Sequence, residues 1–176
     1  LKSINVQRTL QPLTIDIFYE WKEFIYLGFP GLIMLCSEWW AFEILIIFAS
    51  QISTEAVAAQ AVIMQLSTLS FMFPLGLGIT TTTFIGNTLG ANKKHLAIEI
   101  GKLSYFVMFI IECIIALIIY FGGNTFIRLF ALDEEVRHIS YSMIPYLCLF
   151  VFADGIQGIS SGILRGTGRQ SIGALV

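Results

Sequence analysis

Four acidic side chains interrupt apolar runs: Glu38 and Glu43 between Phe24 and Ser50, Glu112 between Leu103 and Phe121, and Asp154 between Ile139 and Leu164. A carboxylate near the centre of a membrane-spanning helix costs on the order of 2.5–3.5 kcal/mol on insertion scales, so each demands a reason. The chemistry open to such groups is reversible binding of protons or cations. Desolvated carboxylates close to one another can take up and release protons near neutral pH. At 1.5 Å per residue, Glu38 lies roughly 21 Å into its run, close to mid-depth. Asp154, about 15 residues into its own run, reaches a similar depth or slightly below. Both read as ion-binding groups facing a central cavity. Glu43 is rotated from Glu38 by about 140°. It reads either as a further ion-binding group or as a carboxylate held by neighbouring hydroxyls or an arginine elsewhere. Glu112 has only Cys113 beside it as a polar neighbour, and its sequence leaves its role open.

Other polar or aromatic groups at membrane depth are candidates for a substrate cavity. Trp39 and Trp40 are too deep for an interfacial belt, so they read as cavity wall or packing, with cation–π contact to an organic cation open to either. Gln65 and Thr81, the latter in the run Thr80 to Thr83, offer amide and hydroxyl groups, although threonines commonly bond back to their own helix. Gly158, Gly162 and Gly166 recur every four residues and predict a face for close helix packing. Gly86 and Gly90 do not make a phosphate cradle, because no Gly-Lys-Ser/Thr follows and no strand precedes. His95 and His138 stand alone in polar connectors, and Cys36, Cys113 and Cys148 are odd in number without paired spacing. These exclude a metal or disulfide framework from the reading. With no nucleophile–base pair at depth, the chain is not read as an enzyme and needs no cofactor beyond a coupling ion, H+ or Na+.

The elements that must position these groups follow from hydropathy. Of the 176 residues, 56% are hydrophobic and only 12% charged, against about 25% charged in soluble domains. Lipid is therefore the expected solvent. The pattern predicts an all-α, polytopic transmembrane helix bundle with four complete spans, at about 24–50, 56–85, 103–121 and 139–164, and a fifth beginning near 172. Residues 1–23 carry Asp16, Glu20 and Glu23 at helical spacing opposite Ile17, Phe18 and Trp21. They read as an amphipathic arm on the membrane surface or as the first turns of the next span. Asp133 is placed to cap a helix start, with Glu134 and Glu135 suiting its positive end.

Four spans put Lys2, Arg8, Lys22, Lys93, Lys94, Lys102, Arg165 and Arg169 on one side and only Arg128 and Arg137 on the other. The bias predicts a cytoplasmic N-terminal arm. A net charge of −2 without a basic stripe gives no reason to expect nucleic acid. The leading Leu1, the absence of a secretory signal pattern and the short apolar run from Ile172 to Val176 suggest an internal piece of a longer multi-pass protein.

Several strings together resemble the eukaryotic branch of the multidrug and toxic compound extrusion (MATE) family. They are Cys36-Ser37-Glu38-Trp39-Trp40-Ala41-Phe42-Glu43, Phe73-Pro74-Leu75-Gly76, Gly86-Asn87-Thr88-Leu89-Gly90-Ala91 and Gly162-Ile163-Leu164-Arg165-Gly166-Thr167-Gly168-Arg169-Gln170. The resemblance implies a twelve-helix transporter of two lobes. Residues 1–23 would be the interlobe arm, and residues 24–176 would be part of the C-terminal lobe, helices seven to ten and the start of eleven. It also implies export of organic cations, drugs or amphiphilic metabolites in exchange for protons or sodium; the residues do not distinguish a plasma from a vacuolar-type membrane. The family's seventh-helix glutamate falls on Glu38, the second acid of that string on Glu43, and its tenth-helix acid on Asp154. Two departures stand out: Phe84 where many members have arginine, and Gln65 where animal members often have glutamate. A lipid-linked oligosaccharide flippase of the same superfamily is the nearest alternative, but it calls for a basic cavity. A purely structural subunit would leave four intramembrane acids unexplained.

Overall fold

A computed structural model describes residues 21–173, apart from the side chains of Glu23, Leu27 and Glu38. The predicted arm thus lies outside the described residues except for Trp21, Lys22 and Glu23, which form the first turn of the first helix. The elements are α1 (Trp21–Ser50), α2 (Thr54–Gly90), α3 (Lys94–Phe130), α4 (Glu134–Gly166) and a short α5 (Gln170–Gly173). No strand occurs among the described residues. The all-α expectation holds, and α1 to α4 are each long and apolar enough to cross a membrane.

The helices run longer than the apolar stretches that predicted them. At 37 residues, α2 and α3 each extend about 55 Å, against a hydrocarbon core of about 30 Å. Hydropathy reads only the part in lipid, whereas backbone hydrogen bonding carries the helix on into its polar ends. Local chemistry then fixes where each stops. Ser53 caps α2 by accepting from the Ala56 N–H at 3.1 Å. Asp133 caps α4 by accepting from Glu135 N–H at 2.7 Å and Val136 N–H at 3.4 Å, as its sequence position predicted. Beyond α4, Gly168 takes φ of +70°, a left-handed conformation that suits glycine and reverses the chain.

Links of three residues, 51–53, 91–93 and 131–133, join successive helices. Links this short make neighbours antiparallel, so the chain crosses four times in alternating directions. The core is built by α2, α3 and α4. At the end near 131–133 it is apolar, with Ala59 and Ile63 of α2, Ile119 and Ile127 of α3, and Ile144 and Val151 of α4 all buried. Towards the other end, α2 and α4 approach almost backbone to backbone. A Cβ on Gly162 would stand 2.5 Å from the Gly78 carbonyl oxygen, and one on Gly166 would stand 2.8 Å from that of Thr82. Thr82 Oγ1 donates across this contact to the Gly162 carbonyl at 2.9 Å. The glycine spacing therefore marks a helix-packing face. Pro74 is buried in the same seam, opposite Gly158, without breaking α2.

By contrast α1 is peripheral. Its main contacts are with α2 and α5, and it leaves Phe24, Tyr26, Trp40 and Phe48 exposed. A helix apolar all round belongs in lipid or against further apolar helices.

Candidate functional site

A cavity of about 240 Å³ opens at mid-depth between α1, α2 and α4. From α1 come Trp39, Ala41, Phe42 and Leu45; from α2, Met64, Ser67, Thr68 and Phe71; from α4, Phe150, Asp154 and Gln157. Its walls are aromatic. Trp39 meets Phe71 edge to face at 6.2 Å between centroids, and Phe42 meets Phe150 likewise at 5.8 Å. Such geometry sets the positive edge of one ring against the negative face of the other. Against this apolar lining Asp154 supplies the acid and Gln157 an amide. These two lie three positions apart and so share a face of α4. Asp154 is 8% exposed, so its carboxyl meets the cavity rather than bulk solvent.

Of the residues singled out from sequence, Asp154 and Trp39 come together here. Glu38 is on α1, one position before Trp39, and its side chain lies outside the described residues. Glu43 is exposed on α1 and is not part of the cavity lining. Trp40 is 67% exposed, pointing away from the bundle. Gln65 is exposed too, because one step along α2 from Met64 turns a side chain about 100° away. Thr81 is buried at the α2–α3 contact, donating to the Leu77 carbonyl and sharing a 2.9 Å bond with Ser104 Oγ. All four threonines from Thr80 to Thr83 bond back to the carbonyl four residues earlier. Thr81 and Thr82 additionally tie helices together.

Gln157 carries no signal of its own in the sequence beyond standing three positions after Asp154, yet it lines the cavity. Glu112 was left open, and the structure gives it a definite place. It is 1% exposed, at the contact of α3 with α4, where a Cβ on Gly155 would stand 2.6 Å from its Oε1. No group of three or more potential metal ligands exists among the described residues.

Four membrane-length helices, three of them lining an acid-bearing aromatic cavity, define an integral, multi-pass membrane protein. The MatE family model matches residues 30–176. The chain is 37% identical over 161 residues to multidrug and toxin extrusion protein 1 of Danio rerio, covering 91% of this chain and 27% of that protein. It is 30% identical to protein DETOXIFICATION 12 of Arabidopsis thaliana, covering 96% of this chain and 35% of the relative. The crystal structure of the eukaryotic MATE transporter AtDTX14 superposes with a TM-score of 0.89 at 28% identity, over 99% of this chain and 40% of that one. The chain belongs to the MATE family, a family of transporters rather than enzymes. It spans about a third of the length of the curated relatives it matches.

Proposed function

We propose that this chain is part of the C-terminal lobe of a cation-coupled antiporter that exports organic cations, drugs or amphiphilic metabolites. The observation that carries the reading is the placement of Asp154, a buried carboxyl on the wall of an aromatic cavity at mid-depth. The aromatic walls suit a flat, lipophilic cation and the acid suits its charge. At 240 Å³ the cavity is smaller than the roughly 300–1,000 Å³ of common ligand sites. A second lobe and the remaining helices would supply the rest.

In the proposed cycle, two protons entering from outside neutralise Asp154 and Glu38, one on each carboxylate. Two unit charges about 4 Å apart attract by about 4 kcal/mol at an effective dielectric of 20. Losing that attraction weakens substrate binding by up to roughly a thousandfold, so substrate leaves outward. The lobes then rock inward, where deprotonation restores the site. The basic residues at the 91–93 and 167–169 end support a cytoplasmic location for that end.

The test is uptake of a fluorescent organic cation, driven by a pH gradient, into vesicles bearing the full-length protein. Glu38→Gln and Asp154→Asn are each expected to lower the driven rate at least tenfold. Undiminished transport in both variants refutes the assignment.

A further inference from the structure

Among the described residues, Glu112 is the buried acid that the proposed cycle does not use. Its side chain is 1% exposed, and neither carboxyl oxygen has a hydrogen-bond partner. The groups around it are few. α4 brings Asp154, the residue just before the Gly155 that packs on the carboxyl, and, one turn along α3 from Glu112, Cys148 Sγ of α4 is engaged with the Ala116 carbonyl at 3.6 Å. α3 itself brings Cys113. α2, the other helix packed on α3, has Glu55 as its only charged residue, in its first turn far from mid-depth. Among the described residues, neither ion pair of the structure involves Glu112. An ionised carboxylate buried this way without a partner is very costly, and such groups are accommodated by taking a proton.

The packing on Glu112 is equally specific. Gly155 is the residue packed on the carboxyl, and any side chain there would strike Oε1, Cγ and Cδ of Glu112. The next residue along α4 is Asp154, which opens on the cavity. α4 therefore presents an acid to the cavity and, one step on, a gap shaped to a second acid behind it.

We propose that Glu112 is a second proton-binding site of this bundle, holding a proton while Asp154 is ionised and passing that proton back to the ionised Asp154, which thereby becomes neutral. This deepens the transport reading and rests on it only in that Asp154 is the group exchanging with the cavity. The proton that Glu112 gains is the one that Asp154 loses, so no further reactant is needed. Two acids sharing one proton would let the site hold its charge at −1 while substrate approaches, avoiding a doubly charged interior.

Infrared difference spectroscopy of the full-length protein between pH 5 and pH 9 reads this without any transport. A protonated carboxyl in apolar surroundings gives a C=O stretch separate from the amide bands. The expected result is such a band in wild type that changes with pH and is missing from Glu112→Leu. Leucine fills a similar volume and removes the unpartnered oxygens, so this variant is expected to fold at least as stably. Asp154→Asn is expected to reduce the band severalfold at a fixed pH of 7.5, because the neighbouring charge is gone. Identical spectra for wild type and Glu112→Leu overturn the proposal. So does a Glu112 band that stays constant across the pH range, which would make the residue a permanently neutral packing group. Failure of the transport assay with the Glu112 band still titrating would refute the antiport reading and leave this site standing.

Discussion

Replacing Gly162 by alanine adds a single methyl group, and the structure says where it must go. The new Cβ would stand 2.5 Å from the Gly78 carbonyl oxygen, 3.0 Å from its Cα and 3.1 Å from its carbonyl carbon. All three are backbone atoms of α2, so no rotamer change relieves the clash. Restoring ordinary contact near 3.4 Å requires α2 and α4 to part by close to an ångström. Overpacking of this kind typically costs 1–3 kcal/mol. The separation also stretches the 2.9 Å bond from Thr82 Oγ1 to the Gly162 carbonyl, and interhelical bonds in membranes average about 0.6 kcal/mol. The expected loss is about 2–4 kcal/mol, offset by less than 1 kcal/mol from the better helix propensity of alanine.

The assay is thermal unfolding of the full-length protein in detergent, with Gly122→Ala as the control. A Cβ at Gly122 meets nothing within 4 Å, so that variant is expected to be neutral or slightly stabilised. Equal melting temperatures for Gly162→Ala and Gly122→Ala would refute the close-packed seam, and with it the alignment of α4 that sets Asp154 against the cavity.

Two further perturbations test other parts of the structure. Asp133→Ala removes the acceptor for the Glu135 and Val136 amides and is expected to cost about 1 kcal/mol; amide hydrogen exchange faster at these two positions than elsewhere in α4 checks it, and unchanged exchange contradicts it. Trp39→Ala takes away a cavity wall, and loss of a cation–π contact is expected to raise the KM for an aromatic cation roughly 2- to 30-fold, whereas Trp40→Ala, on the outer face of α1, is expected to leave it unchanged; equal effects from the two tryptophans would contradict the wall as drawn.

The features legible in the sequence were those set by neighbours along the chain. Gly158, Gly162 and Gly166 announced a packing face because a four-residue repeat stays on one side of a helix, and Thr80 to Thr83 bonded to the carbonyls four residues before them. Asp133 capped the helix its position promised. Helix lengths were under-read because the polar turns at Lys94–Lys102 and Phe121–Phe130 stay helical outside the apolar stretch. Glu112 shows the other kind of information. Nothing around it in sequence distinguishes a tolerated acid from a buried one; that depends on Gly155, on the next helix, lacking a side chain. Trp40 and Gln65 share the difficulty in reverse, since depth is readable from position in a span but direction requires knowing which face meets a neighbour.

Small residues on α4 do two separate jobs, and this constrains how the site can respond to an ion. Gly158, Gly162 and Gly166 let α4 close on the backbone of α2, while Gly155 makes room for the carboxyl of Glu112 on α3. Asp154 sits beside the last of these. A rotation of α4 large enough to turn Asp154 from the cavity would drive Gly155 off Glu112 and lift Gly162 from Gly78 together. Packed cores shift between discrete arrangements rather than deforming smoothly. Charge at Asp154 is thus tied to the register of α4 against both neighbours, and loss of a proton there acts on the seam as well as on the substrate. It follows that Gly155→Ala, which touches neither cavity nor seam, should alter the pH dependence of transport more than its maximal rate, and a change in rate alone would break the link.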